Sequence, residues 1–301
     1  MTTAIGSSHR STAYFAFLLV CVLWGTTYLA IRIALETIPP GLIGGIRYVS
    51  AGALLMGLLA ARGERMPGRE SWPGLALIGL LLVYVGNGGV IVAEQWVPSG
   101  IAAVTVATVP FWMIAIEALR GDSDPLSFRL IAGLLVGFAG ILLLVWPDIA
   151  GGGAARQFLV GIIALQIACA GWALGSTISR RHARDENVLM AAALQMLFGG
   201  IFMMIAGTLD GEWHRLAFNA RTIAAESYLT IFGSIVGYSA YTYALKYLPT
   251  ATVSLYAYAN PVIAVVLGAA LLGESFGVRV VAATLMVLGG SALVQSRRRG
   301  N

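Results

Sequence analysis

Ten long apolar segments run through this chain, and they fall into two resembling sets of five. An odd number of membrane crossings per set forces the two sets to enter in opposite orientations. A duplication of five therefore predicts two halves related by a pseudo-two-fold axis in the membrane plane. Each segment is about 20 residues long, roughly 30 Å of helix, which matches the hydrocarbon layer of a bilayer. The boundaries are read as Ala13–Leu35, Gly41–Ala61, Gly74–Glu94, Gly100–Leu119, Phe128–Trp146, Phe158–Ser179, Val188–Gly207, Ser227–Leu245, Thr250–Leu272 and Val278–Val294. The expected fold is an all-α integral membrane protein of ten transmembrane helices in two inverted five-helix repeats, residues 1–150 and 151–301. The third and eighth segments carry the most Gly, Tyr, Asn and Ser, so they are expected to face the protein interior.

Composition excludes an ordinary soluble domain, because 58% of the 301 residues are hydrophobic and only 11% charged. The first segment has no small-residue cleavage site and is read as a retained span rather than a signal peptide. The net charge of +5 and the Arg297–Arg299 tail do not point to nucleic acid, since basic residues collect in cytoplasmic loops of membrane proteins. With both termini inside, the internal side would hold thirteen cations: Arg10, Arg62, Arg65, Arg69, Arg120, Arg129, Arg180, Arg181, Arg184, Lys246 and the three tail arginines. The external loops would hold Arg156, Arg215, Arg221 and Arg279, with Arg32 and Arg47 near the ends of the first two spans. This asymmetry predicts a multi-pass protein of the bacterial inner membrane, N-in and C-in. Cys21 and Cys169 both fall inside apolar segments and read as inert buried thiols.

The duplication is visible residue by residue. Cys21, Trp24, Arg32, Gly52 and Met56 recur as Cys169, Trp172, Arg180, Gly200 and Met204 at one offset of 148. Pro98 and Pro110 recur as Pro249 and Pro261 at an offset of 151, and Arg129 and Gly140 as Arg279 and Gly290 at 150. Gly41 with Gly45, Gly133 with Gly137, and Gly233 with Gly237 place small residues four apart on one helical face, where backbones can approach closely. Gly86, Gly88 and Gly89 surround Asn87, which reads either as a deformable gate or as tight packing. Pro110 and Pro261 interrupt the fourth and ninth spans and predict a kink in each.

Polar and aromatic side chains well inside spans need partners that lipid does not supply. The candidates for a substrate cavity or gate are Trp24, Tyr28, Arg47, Tyr84, Asn87 and Trp112 in the first half. In the second they are Gln166, Trp172, Gln195, Tyr238, Tyr241, Tyr258 and Asn260. Central aromatics with sparse amides suit a small organic solute that has an apolar body and a polar handle. Helix-to-helix hydrogen bonding would satisfy the amides equally well. Arg47 reads as an anion-binding group, as a partner of Glu36 or Glu94, or as a side chain reaching the headgroups. Glu36, Glu94, Glu117, Glu226 and Glu274 all lie near segment ends, so none marks a mid-span proton relay.

Enzyme chemistry has no anchor in the sequence. His9, His182 and His214 are scattered, and no metalloprotease, nucleophile-elbow or phosphate-loop pattern occurs. No catalytic residue, metal ligand, cofactor or nucleic-acid partner is expected. The partners are a small-molecule substrate and the membrane lipid, with the chain acting as a monomer or weak dimer. A membrane enzyme or a non-transporting structural or sensor protein is the alternative class.

The stretch Leu23-Trp24-Gly25-Thr26-Thr27-Tyr28, then Ile38-Pro39-Pro40 and Gly45-Ile46-Arg47-Tyr48, resembles the opening of an EamA domain. Ala102 through Pro110 pairs with Leu248-Pro249-Thr250, Asn260-Pro261 and Leu272-Gly273-Glu274 as a second signature. The chain thus looks like a bacterial member of the drug/metabolite transporter superfamily with two EamA domains. That resemblance implies a basket-shaped inner-membrane carrier without an ATPase, an exporter of amino acids, other metabolites or drugs. It also implies cavity or gate roles for Trp24, Tyr28, Arg47, Asn87, Trp112 and Asn260. The expected mechanism is alternating access, with one central site exposed to each side in turn.

Overall fold

In lipid every backbone amide must find its partner within the protein, and a helix does this within one segment. The computed structural model describes residues 7–119, 128–149, 153–182, 187–253, 255–274 and 277–296, and among them there is helix and no strand. Arg120, Arg184 and the Arg297–Arg299 tail lie outside the described residues.

The helices run in the order α1 (Ser7–Ala34), α2 (Pro40–Ala61), α3 (Trp72–Gly79), α4 (Gly88–Ala93), α5 (Ser99–Val106), α6 (Val109–Leu119), α7 (Phe128–Ile149) and α8 (Gly153–His182). They continue as α9 (Val188–Leu209), α10 (Ala220–Tyr228), α11 (Gly237–Tyr247), α12 (Thr250–Val253), α13 (Tyr256–Leu272) and α14 (Val278–Ser296). Six described runs are long and apolar enough to cross a membrane: His9–Ala34, Pro40–Ala61, Arg69–Ala93, Ser99–Ile116, Arg156–Arg180 and Val188–Leu209. Shorter apolar helices follow at Tyr256–Leu272 and Val278–Gly290, with another at Ile131–Leu143. By length and composition, then, six of the ten expected spans qualify among the described residues.

Local chemistry sets the ends. Extended Pro39 precedes α2, with Pro40 in its first turn, where a missing N–H costs nothing. Asn187 caps α9 by accepting from the Leu189 and Met190 amides at 2.9 and 3.2 Å. Asn219 and Thr222 form a reciprocal capping box at the start of α10. Gly273, at φ 65°, closes α13 in the left-handed conformation that favours glycine.

Two stretches depart from the α-helical hydrogen-bond pattern. Leu80–Asn87, between α3 and α4, and Leu229–Val236, between α10 and α11, are each eight-residue π-helices. They fall in the third and eighth segments, the two singled out for their polarity. The fourth segment is interrupted between α5 and α6, with Pro110 in the first turn of α6. In the ninth, α12 ends at Val253, Leu255 lies in a turn and α13 begins at Tyr256, with Pro261 inside α13. The helix ends do not therefore mark the two prolines symmetrically.

Packing is carried by glycine. α2 lies along α9, α7 along α14, α1 against α11 and α13, and α8 against α4, α5 and α6. A Cβ on Gly52 would meet the Ala193 carbonyl at 2.7 Å and the Leu197 nitrogen at 2.8 Å, and one on Gly200 the Val49 nitrogen at 2.6 Å. At the α7–α14 contact, a Cβ on Gly140 would meet the Ala283 carbonyl at 2.9 Å, and one on Gly290 the Gly133 carbonyl at 2.5 Å. These close approaches maximise dispersion contacts where hydrophobicity does not drive helices together. The Gly41/Gly45 pair meets Gly207 and Met204 of α9, and Gly233/Gly237 meets Arg47 and Trp24.

Candidate functional site

The site grows from Trp24, two-thirds of the way along α1. Its indole N–H donates to the Gly233 carbonyl in the second π-helix at 3.1 Å. The absent side chain of Gly237 makes room for this ring, since a Cβ there would lie 2.6 Å from the indole nitrogen. Three further aromatics close on it: Trp172 edge-on at 5.2 Å, Tyr256 edge-on at 5.2 Å and Tyr241 tilted at 5.0 Å between ring centroids. Such pairs favour the offset and T-shaped arrangements in which ring edges meet ring faces.

Beside this cluster lies a cavity between the two halves of the chain, lined by Trp24, Thr27, Tyr28, Arg47 and Asn87 from the first and Cys169, Trp172, Tyr256 and Asn260 from the second. Its volume of about 50 Å³ has room for a few waters and is far below the several hundred Å³ of a small-molecule pocket. Asn87, at the end of the first π-helix, donates to the Leu82 carbonyl at 3.2 Å. Asn260, with its amide oriented to donate, reaches the Cys21 and Tyr256 carbonyls at 3.0 and 3.2 Å.

Arg47 is 2% exposed. Its Nε–H donates to Ser234 Oγ at 2.7 Å, and its guanidinium carbon lies 4.6 Å from the centre of the Tyr48 ring. It pairs with neither Glu36 nor Glu94: Glu36 takes Arg221 at 3.2 Å, and both carboxylate oxygens of Glu94 are buried without a hydrogen bond. Arg32 donates instead to the Glu94 backbone carbonyl. Glu226 is likewise buried with both oxygens unpartnered, and the Arg47 charge acts on it.

Of the thirteen residues expected at a cavity or gate, Trp24, Tyr28, Arg47, Asn87, Trp172 and Asn260 line this cavity. Tyr241 touches it indirectly, packing under Trp24 and Trp172 while sharing a 2.6 Å hydrogen bond with Ser176. Trp112 and Gln166 satisfy each other at 3.0 Å, and Gln166 also donates to Thr108 at 3.3 Å. Tyr238 donates to Gln195 at 2.9 Å, tying α11 to α9. Tyr84 lines a separate cleft of about 600 Å³ beside α8 and α9, and Tyr258 is half-buried on α13 outside the cavity lining. Sequence reasoning missed Tyr256 and Cys169 as cavity residues.

At the end of the bundle that holds Pro40, two carboxylates from the second half of the chain cap helices of the first. Glu212 accepts from the Gly41 and Leu42 amides at 3.1 and 2.8 Å at the start of α2. Glu274 accepts from the Ser99 amide and hydroxyl at 2.9 and 2.8 Å and from the Gly100 amide at 3.1 Å at the start of α5. A Thr37–Thr222 hydroxyl bond of 2.9 Å and the Glu36–Arg221 pair complete this end. Carboxylates there complement the partial positive charge of a helix N-terminus.

The family model described as the EamA-like transporter family matches residues 11–146 and again 159–296. The chain belongs to this family. Among similar proteins, the "uncharacterized inner membrane transporter YedA" of Escherichia coli K12 is 40% identical over 278 residues, covering 89% of this chain and 88% of that one. The "uncharacterized transporter YvbV" of Bacillus subtilis 168 is 23% identical over 290 residues, covering 96% and 93%. A solved crystal structure superposes with a TM-score of 0.69 at 21% identity over 97% of this chain and 99% of that one, a likeness of fold. The EamA assignment makes this a membrane transporter and not an enzyme.

Proposed function

We propose that this EamA protein is a secondary exporter of small organic metabolites, amino acids or drugs among them, working by alternating access about the cavity beside Trp24. Residues 1–150 and 151–301 act as two inverted five-helix repeats, N-in and C-in, so that the end carrying Pro40, Glu212 and Glu274 is external. The observation that carries this reading is the set of contacts repeated between the halves. Gly52 against Leu197 and Gly200 against Val49 are one contact seen twice at the offset of 148 residues, and Gly140 against Ala283 and Gly290 against Gly133 are one contact seen twice at 150. The two π-helices, Leu80–Asn87 and Leu229–Val236, are 149 residues apart. A cavity enclosed by both repeats and flanked by matching irregular segments has the parts that swapping the repeats' conformations requires.

In this reading the aromatic wall takes the apolar body of the solute, Asn87 and Asn260 meet its polar groups, and Tyr84, Trp112, Gln166, Gln195, Tyr238, Tyr241 and Tyr258 shape or gate the site from around it. A single chain supplies the whole lining, so a monomer or weak dimer suffices, with lipid as its solvent. The test is flux in proteoliposomes against a panel of labelled amino acids, sugars and cationic drugs, with and without a pH gradient. An unmodified solute crosses with the wild type and is lost with Trp24→Ala or Asn87→Ala at normal membrane insertion. Unchanged flux in both variants overturns the site, and a converted product overturns the transporter reading.

A further inference from the structure

Arg47 is the most heavily buried cation in the cavity wall, and its surroundings leave it chemically unfinished. A guanidinium carries five N–H donors and no acceptor. Among the described residues only Nε–H has a partner, the Ser234 hydroxyl, and Nη1 is buried with none. The carboxyl groups whose charge acts at this position, Glu226 and Glu94, are buried and hydrogen-bonded to nothing, Arg47 included. Burying a cation is costly unless it is both paired and hydrogen-bonded, so a guanidinium bonded through Nε to Ser234 alone and resting against Tyr48 has donors left for an acceptor from elsewhere. A planar carboxylate matches the guanidinium fork with two parallel bonds.

The rest of the cavity defines what the carboxylate is attached to. Trp24, Trp172 and Tyr256 present aromatic surface, and Thr27 and Asn87 supply the few polar groups nearby. We infer that the cavity, once the repeats part enough to widen it beyond its present volume of about 50 Å³, selects organic anions: a carboxylate on the unpartnered guanidinium nitrogens of Arg47, with a flat or branched apolar body against Trp24, Trp172 and Tyr256. This rests on the cavity being the transport site, and it narrows the solute from any small organic molecule to a carboxylate.

The probe set is one ring with three head groups, 3-phenylpropionate, 3-phenylpropionamide and 3-phenylpropylamine, and binding to the purified full-length protein in nanodiscs is read by calorimetry. The carboxylate is expected to bind at least about tenfold more tightly than the amide, and the amine not at all, as charge-assisted hydrogen bonds dictate. Arg47→Lys, which keeps the charge but not the fork, is expected to lose about tenfold more for the carboxylate than for the amide. Arg47→Gln is expected to abolish the discrimination, with folding of both variants checked by melting temperature. Equal affinity for acid and amide, preference for the amine, no binding of the acid, or discrimination that survives Arg47→Gln overturns the inference. Failure of the transport reading is distinct: the acid then binds through Arg47 but does not cross proteoliposomes. Flux of neutral or cationic solutes that needs Trp24 but ignores Arg47 leaves transport standing and removes the anion site.

Discussion

Replacing Glu274 by Gln removes the charge at the start of α5 while keeping the side chain's size. The carboxylate now takes three donors, Ser99 N–H and O–H on one oxygen and Gly100 N–H on the other. The amide can keep the two Ser99 bonds through its carbonyl, but its NH₂ then faces the Gly100 N–H. One bond to a charged acceptor is lost, at about 1.5–3 kcal/mol, together with about 0.3–1 kcal/mol of charge–dipole stabilisation. The lower end of that sum, about 2 kcal/mol, corresponds to a roughly 30-fold change in an equilibrium constant. Because this cap joins residues 175 and 174 positions apart across the two halves, its loss favours forms in which the Pro40 end has parted. The protein carries its own reporter, Cys169, which lines the cavity and is 1% exposed. In a Cys21→Ser background, labelling of Cys169 by a membrane-impermeant thiol reagent added from outside should be about 10–30 times faster with Glu274→Gln. A labelling rate that does not change, in a variant whose melting temperature has fallen, would refute the latch and leave Glu274 as a plain helix cap.

Other expectations follow from individual contacts. Gly290→Ala sets a Cβ about 2.5 Å from the Gly133 carbonyl and forces α7 and α14 apart, at about 1–3 kcal/mol, whereas Gly289→Ala, with nothing within 4 Å, should be neutral or slightly stabilising; melting temperatures of the two variants decide this. Gln195→Leu leaves the buried Tyr238 hydroxyl without its acceptor, which should lower stability by about 0.6–1.7 kcal/mol while solute affinity holds, so a large fall in affinity would return Gln195 to the cavity. Trp24→Phe keeps the ring contacts but loses the bond to the Gly233 carbonyl, and is expected to cost about 0.5–1.5 kcal/mol and to transport better than Trp24→Ala in the same vesicles.

Membership of the EamA family, the helical class and the centre of the cavity were all legible in the sequence. Trp24 and Trp172 announced themselves as a repeated pair, and Arg47 as an ionisable group inside an apolar run. The phase of the remaining polar groups was not legible, because helices buried on most sides carry little amphipathic signal. Tyr256 and Tyr258 show the difficulty. Two residues at about 100° each put them on nearly opposite faces, and the sequence reading chose Tyr258 while Tyr256 holds the wall against Trp24. For Gln166, Gln195 and Tyr238, the structure supplies helix-to-helix partners that residue type alone could not distinguish from ligand contacts. The π-helices have no sequence signature of their own, though glycine and polar residues in the third and eighth segments marked the right places. The two matching prolines sit differently in their helices, Pro110 in the first turn of α6 and Pro261 inside α13.

The central claim is that one cavity is reached from the two sides in turn. Cysteines replacing Thr37 and Thr222, whose hydroxyls lie 2.9 Å apart across the halves, give a covalent lock for the Pro40 end. The measurement is Cys169 labelling in right-side-out and inside-out vesicles, in the Cys21→Ser background, before and after Thr37→Cys and Thr222→Cys are crosslinked. The account predicts labelling from either side before crosslinking, and afterwards labelling from the cytoplasmic side alone. Cys169 still reached from outside with the lock closed, or never reached from the cytoplasmic side, would contradict it.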